Sequence, residues 1–176
     1  MAAPVSSDEF GELLRTFQRS AFRLEVQPFY AIGEERPEFE RFLAGSPRPP
    51  TEIPWWNAWL GQVAGLTRQG RTVTRVRVLD EPPTDYQRWM LWADPWYAAA
   101  GEQISYMTRR RAYEVGLPDA DWWLLDDERA VIMAFDDEGR IEQRTLVTGP
   151  EVMELYRNWR DIALRHATSA GQIAAA

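Results

Sequence analysis

The segment 122–147 restricts the fold more than any other part of the chain. Its pattern predicts three consecutive strands, over residues 122–126, 130–136 and 140–147, joined by acid-rich connections that suit tight turns. The middle strand carries the run AVIMAF, which is apolar at successive positions and therefore on both faces. We expect it to be a central strand of a sheet that is covered on both sides.

The residues before this segment alternate between helical and extended patterns. An apolar–polar alternation over 22–27 and a β-rich stretch over 72–79 are separated by helical stripes of apolar residues. This order, followed by a strand meander, is typical of an α/β domain with a mixed sheet flanked by helices. We predict one such domain over residues 8–167, with a flexible N-terminus at 1–7 and a flexible tail at 168–176.

The composition removes several kinds of active site. Among 176 residues there is no cysteine and one histidine, and all twenty basic side chains are arginines. The chain therefore lacks a thiol nucleophile, a lysine for Schiff-base chemistry or a Walker-type loop, and the several histidines of a zinc site. We expect no catalytic residue, no metal and no cofactor.

Charge and hydropathy also limit the partners. The net charge of −7 argues against direct binding to nucleic acid. The first ten residues lack the basic start and apolar stretch of a signal peptide, and no window approaches the roughly 18 apolar residues of a membrane helix. We expect a cytoplasmic protein without membrane contact.

Two groups of arginines are candidate anion sites. Arg75 and Arg77 share one face of the predicted strand 72–79, and Arg88 with Asp85 could join them at the end of the sheet. The alternative is a structural ion-pair network, with Asp85 or Glu81 as the partner.

The second group is the run Arg109, Arg110 and Arg111, the densest positive charge of the chain. It could grip a phosphate or an acidic partner, because each guanidinium presents a fixed fork of donors. The alternative is a solvated turn that pairs with nearby acids such as Glu114.

Adjacent tryptophans are a third candidate. Neighbouring residues in a helix or a strand cannot both face the same interior. One of Trp55 and Trp56, and one of Trp122 and Trp123, should therefore be exposed or meet another element. We select Trp55 and Trp123 as candidate contacts with a ligand or partner.

Longer stretches resemble an uncharacterised family of small actinobacterial proteins, and together they span most of residues 9–167. The stretches are FQRSAFRLEV, RFLAG, RVRVLDEPPTDYQRW, AAGEQISYMTRRRAYEVGLPDADWWLLDDERAV and YRNWRDIALRHA. Members of that family are often encoded beside helix-turn-helix regulators and small partner proteins. The resemblance implies a regulatory or interaction role with a protein partner.

Residues 65–167 also resemble a phospholipase-D-like half-domain, as found in sensor domains of some transcription regulators. The resemblance lies in TVTRVRVL, AAAGEQISYM, WWLLDDERAVIMAF and GPEVMELYRNWRDIALRHA. Enzymes of that fold carry His-x-Lys-x4-Asp entering the hairpin. With Asp126 as the acid, the histidine and lysine positions fall on Asp119 and Asp121. The resemblance therefore implies a non-catalytic version of the fold, in which Asp126 is a candidate ligand or partner contact.

These observations together predict a non-catalytic regulatory or protein-interaction domain, whose partner is a transcription regulator such as a helix-turn-helix protein. Two alternatives stay open. One is a binder of a small anionic molecule, with a pocket of arginines and tryptophans. The other is a natural-product tailoring enzyme that uses carboxylates as acid and base, which two carboxylates converging in one deep pocket would favour.

Overall fold

The computed structural model describes residues 1–169, in which helices and strands alternate before a run of strands. In chain order the elements are β1 (Ala2–Pro4), α1 (Ser7–Thr16), β2 (Ser20–Glu25), α2 (Arg36–Leu43), a short 3-10 helix (Pro50–Glu52), α3 (Pro54–Arg68), β3 (Thr72–Leu79), α4 (Asp85–Ala100), β4 (Gln103–Thr108), α5 (Arg109–Glu114), β5 (Asp121–Leu125), β6 (Arg129–Phe135), β7 (Ile141–Val147) and α6 (Pro150–His166). The predicted α/β class, with a mixed sheet flanked by helices, is confirmed.

A seven-stranded sheet organises these elements in the order β1-β7-β6-β5-β2-β3-β4. Strands β2, β3 and β4 run parallel to one another, and the remaining neighbours are antiparallel. The prediction for AVIMAF is correct only in part, because β6 lies inside the sheet but its Ala134 is exposed. The middle strand is β5, all of whose residues are buried.

Each face of the sheet carries its own core. On one face, side chains of α6 pack against β2, β3 and β5; the buried members include Phe22, Leu24, Val76, Trp122, Leu124, Met153, Tyr156 and Ala163. On the other face, α1 and α3 pack against the same strands; the buried members include Leu14, Ala21, Val63, Leu66, Val73, Trp123 and Leu125. This second face also carries the charged side chains described below.

The two chain ends differ from expectation. Residues 2–4 were expected to be flexible, but they form β1 and pair with β7, from Ala2 opposite Val147 to Pro4 opposite Thr145. The open edge of β7 supplies the hydrogen bonds that order this start. In the predicted flexible tail, Thr168 forms a bridge with Tyr106. Residues 170–176 of that tail lie outside the described part of the chain.

Candidate ligand-binding cavity

Charged residues occupy the centre of the sheet face that packs against α1 and α3. Strand β2 presents Arg23 and Glu25 there, and β3 presents Arg75 and Arg77. The parallel register sets Arg23 beside Arg75 and Glu25 beside Arg77. Only 4% of Arg75 and 2% of Arg77 is exposed, so these charges require partners inside the protein.

Glu25 is the common partner of these arginines. Its carboxylate accepts from Nη1 of Arg75 at 2.6 Å and from Nη1 of Arg77, and Oε2 lies 3.4 Å from Nε of Arg23. Burial alone would raise the pKa of Glu25, but the three arginines hold it well below its ordinary value. Glu25 is therefore a fixed anion in the centre of the sheet.

Further acids complete the pairing. Nε of Arg75 donates to Glu102 at 2.6 Å, and Nη2 of Arg77 donates to Asp94 at 2.9 Å. Asp94 also accepts from the hydroxyl of Tyr106 at 2.7 Å. We call the set the arginine–carboxylate network; it consists of Arg23, Glu25, Arg75, Arg77, Asp94, Glu102 and Asp121.

Arg23 is paired less completely than the other two arginines. Its Nη2 donates to Asp121 at a long 3.4 Å, and its buried Nε has no hydrogen-bond partner within residues 1–169. The guanidinium lies 5.5 Å from the ring centroids of both Tyr30 and Trp123. The hydroxyl of Tyr30 and the amide of Val26 supply the short hydrogen bonds of Asp121, at 2.6 and 2.9 Å. Arg23 thus keeps donor capacity that the protein does not use.

Arg23 lines a cavity of about 310 Å³, which lies over this sheet face and has nine aromatic side chains among its twenty lining residues. The aromatic lining residues are Phe10, Tyr30, Trp55, Trp56, Trp59, Tyr86, Tyr97, Trp123 and Phe135. Trp55 stacks on Trp56 with centroids 5.1 Å apart, and Trp59 meets Trp123 edge-on at 6.2 Å. Its volume falls at the lower end of the roughly 300–1,000 Å³ of small-molecule pockets.

Three nitrogen atoms of the lining residues are buried donors without a hydrogen-bond partner among the described residues. They are Nε of Arg23, Nε1 of Trp123 and Nε of Arg144. The ring of Phe10 lies 6.2 Å from the Trp123 ring and 5.5 Å from the Arg144 guanidinium carbon, so Phe10 lies near both of these side chains in the cavity wall. Each unsatisfied buried donor costs about 1–3 kcal/mol, which an acceptor oxygen would recover. Two other orphaned atoms, Glu102 Oε2 and Trp122 Nε1, belong to residues outside the cavity lining.

Glu35 is placed where this cavity adjoins a second one of about 540 Å³. The two cavities share Tyr30, Ile32, Glu35 and Tyr86. The hydroxyl of Tyr86 donates to Glu35 at 2.6 Å. Burial raises the pKa of Glu35 to about 7, even though this hydrogen bond acts in the opposite direction.

The structure brings together four of the ten predicted site residues. Arg75 and Arg77 lie in the network and line the cavity, together with Trp55 and Trp123. Trp122 and Trp123 are both buried, because β5 faces a core on each side, so neither is exposed.

The predicted partners of the strand arginines are wrong. Asp85 and Arg88 pair with each other on the exposed first turn of α4, and Glu81 lies 3.8 Å from Arg110. Neither Asp85 nor Glu81 is an ion-pair partner of Arg75 or Arg77. The actual partners are Glu25 of β2, Asp94 of α4 and Glu102 of the α4–β4 connection. All three lie outside β3 in the sequence, so no local pattern links them to its arginines.

The run 109–111 does not converge on one anion. Arg109 donates to Asp80 at 2.5 Å and to the carbonyl of Val26 at 2.6 Å. Arg110 is exposed beside Glu81, and Arg111 pairs with Glu114 at 3.2 Å. The three side chains therefore take separate partners, as the ion-pairing alternative expects.

Asp126 has a structural role at the β5–β6 hairpin. Its carboxylate accepts from the backbone amides of Gln18, Arg19 and Ser20 at 2.9, 2.6 and 3.1 Å. Burial would raise the pKa of Asp126, but these hydrogen bonds bring it below its ordinary value. Asp119, at the resembling histidine position, is exposed and pairs with Arg109.

Several cavity residues were missed by the sequence analysis. Arg23 and Glu25 repeat the polar alternation of Arg75 and Arg77, so the pattern FRLE already indicated that both side chains share one face of the strand. Tyr30, Glu35 and Arg144 carried none, because a loop and a hairpin bring them to the cavity from distant positions.

Two properties concern the whole described region. No helix within residues 1–169 is both long and apolar enough to cross a membrane. Over the same residues, no group of three or more histidine, aspartate and glutamate side chains is arranged to hold a metal ion.

Comparisons with known proteins place the chain in a family and a fold. A family model described as a domain of unknown function, DUF6879, matches residues 8–174. No curated protein matches the sequence. Among solved structures, the fold is similar to that of a phospholipase D family member, Nuc from Salmonella typhimurium, with a TM-score of 0.54 and 12% identity. The likeness covers 96% of this chain and 97% of that one, and so extends beyond the expected residues 65–167.

Proposed function

The chain belongs to the DUF6879 family, and from its cavity we propose that it is a non-catalytic domain that binds a small organic molecule. The ligand has an apolar or aromatic body and acceptor oxygens at one end, such as a carboxylate. This proposal combines the small-anion binder, which was an alternative in the sequence analysis, with the regulatory role that the sequence predicts first. The observation that carries it is the set of three orphaned donors on residues that line a cavity rich in aromatic side chains.

The chemistry of the cavity supports this assignment. Aromatic rings supply apolar area for the body of a ligand, and a few convergent polar groups fix its orientation. The orphaned atoms of the lining residues Arg23, Trp123 and Arg144 are all donors, so an acceptor is the group that would satisfy them. Two of them belong to guanidinium groups, which favour a charged acceptor.

A carboxylate acid–base enzyme is supported less well. Glu25 and Glu35 both line the cavity, which is the convergence that an enzyme would need. However, Glu25 is tied to three arginines and is a poor proton acceptor in that setting. The aspartates at the resembling histidine and lysine positions also supply no nucleophile of the phospholipase D kind.

In the proposed role, ligand occupancy is the regulatory input. A ligand that binds only the folded state stabilises it and orders the loop and helices that line the cavity. A partner protein, for instance a helix-turn-helix regulator, and a cytoplasmic location both stay predictions. Recovery of no specific partner from the native host would contradict the partner prediction.

The test is isothermal titration of the protein with benzoate, 2-naphthoate and indole-3-acetate. We expect at least one of these aromatic carboxylates to bind. The variant Trp123→Phe keeps a ring but removes the indole donor, and should weaken binding about five- to thirtyfold, as expected for roughly 1–2 kcal/mol.

Trp122→Phe is the matched control, because Trp122 is the adjacent buried indole on the opposite face of the sheet. Its affinity for the same carboxylate should equal that of the unaltered protein. Failure of all three probes to bind, or an equal loss in both variants, would contradict the proposed function.

A further inference from the structure

Glu35 differs from the other carboxylates around the cavity in having no cationic partner. Within the described part of the chain, no arginine lies within ion-pair distance of Glu35, and its one hydrogen bond comes from the hydroxyl of Tyr86. Glu25, by contrast, is paired with arginines on both oxygens. Glu35 is therefore a half-buried acid with unused acceptor capacity that lines both cavities.

Glu35 and the residues that carry the orphaned donors differ in which cavity they line. Arg23, Trp123 and Arg144 line the first cavity and not the second. Glu35 lines both cavities, and Arg36 and Arg140 line the second one beside it. The first cavity thus offers donors on three of its lining residues and an acceptor on Glu35.

The surroundings of Glu35 are aromatic. Tyr86 lies edge-on to Tyr30 at 5.6 Å and to Phe39 at 5.7 Å, and all three rings line the second cavity. Aromatic faces attract cations, and this attraction is larger where water is excluded. A carboxylate among aromatic rings is a setting that favours a protonated amine over a neutral hydroxyl.

We propose that the cavity takes a zwitterion: an aromatic or apolar ω-amino acid whose carboxylate faces Arg23 and whose protonated amine, at the other end of the molecule, pairs with Glu35. This inference rests on the proposed function and specifies the class of its ligand. Burial raises the pKa of Glu35 to about 7, and an ammonium group beside this half-buried acid would favour its ionised form.

The experiment compares a benzoate without an amine with two benzoates that carry one. Isothermal titration uses 4-methylbenzoate as the acid alone, and 4-(aminomethyl)benzoate and 4-(2-aminoethyl)benzoate as zwitterions of two lengths. At about pH 8, where Glu35 is ionised, we expect at least one zwitterion to bind about tenfold more tightly than 4-methylbenzoate.

Two variants assign this preference to a residue. Glu35→Gln, which keeps the shape and removes the charge, should reduce the ratio of the two affinities from about ten to about one. Glu34→Gln changes the neighbouring exposed acid and should leave the ratio at its original value. Circular dichroism of both variants reports whether each is folded.

The outcomes separate this inference from the proposed function. If 4-methylbenzoate binds as tightly as both zwitterions, or if the preference persists in Glu35→Gln, the inference is wrong and the proposed function stands. If none of these three probes binds and none of benzoate, 2-naphthoate and indole-3-acetate binds either, the proposed function itself has failed; if only the latter bind, the inference alone is wrong. A preference that disappears only in Glu35→Gln supports both.

Discussion

At the scale of single residues, Glu25 holds the charged face of the sheet together. It is 6% exposed and accepts hydrogen bonds from Arg75 and Arg77 while lying 3.4 Å from Arg23. Burying an ion pair has a large desolvation cost, so removing one partner leaves an uncompensated buried charge and strongly destabilises the fold. The arginines are therefore retained in the interior only as long as their acids remain.

The variant Glu25→Gln should destabilise the fold by about 3–5 kcal/mol, because it leaves buried guanidinium groups without their shared anion. Chemical denaturation of both proteins measures the difference in the free energy of unfolding. The control Glu128→Gln removes an exposed acid that pairs with Arg19, and should cost less than about 1 kcal/mol. Equal stabilities of Glu25→Gln and the unaltered protein would contradict the role given to Glu25.

At the scale of elements, the β5–β6 hairpin shows how one side chain joins distant parts of the chain. Asp126 and Asp127 adopt φ values of 57° and 64°, which are uncommon outside glycine but tolerated by aspartate. From this turn the Asp126 carboxylate accepts hydrogen bonds from the backbone amides of Gln18, Arg19 and Ser20. These residues lie just before β2 and at its first position. The hairpin thereby fixes where β2 enters the sheet.

Asp126→Asn should cost about 1–3 kcal/mol, because asparagine tolerates the turn conformation but loses charge-assisted bonds to backbone amides. Since the folded pKa of Asp126 is lowered, its contribution is present above the ordinary carboxyl pKa of about 4 and is lost as the pH falls below it. The stability difference from the unaltered protein should therefore shrink in acid.

Asp127→Asn is the matched control for this prediction. Asp127 shares the turn but directs its carboxylate to Arg160 of α6, where it is partly exposed. Thermal and denaturant unfolding at neutral and acidic pH should show little change for it. A loss in Asp127→Asn as large as that in Asp126→Asn, or one independent of pH, would count against the account.

The elements were largely predictable, and their pairing was not. Alternation of polar and apolar residues located β2 and β3, and it placed Arg75 and Arg77 on one face. The acids that neutralise them could not be identified, because Glu25 and Asp94 lie at sequence separations that no local pattern reports. Strand β1 was missed for a related reason, since its three residues are ordered only by the distant edge of β7.

At the scale of the whole molecule, the sheet separates an apolar core from a core that also holds charged side chains. Helix α6 covers one face with apolar side chains. The other face carries the charged residues of β2 and β3, and the cavity lies over these residues. The similarity to a phospholipase D family member concerns the fold alone, and recognition of a small molecule is our proposal for the cavity.

The most direct measurement of the central claim is a crystal structure of the protein soaked with the tightest of the titrated aromatic carboxylates. We predict ligand density in the cavity, with a carboxylate oxygen within hydrogen-bond distance of Arg23 Nε or Trp123 Nε1. Density at another place, or an empty cavity at a ligand concentration that saturates the protein in solution, would contradict the account.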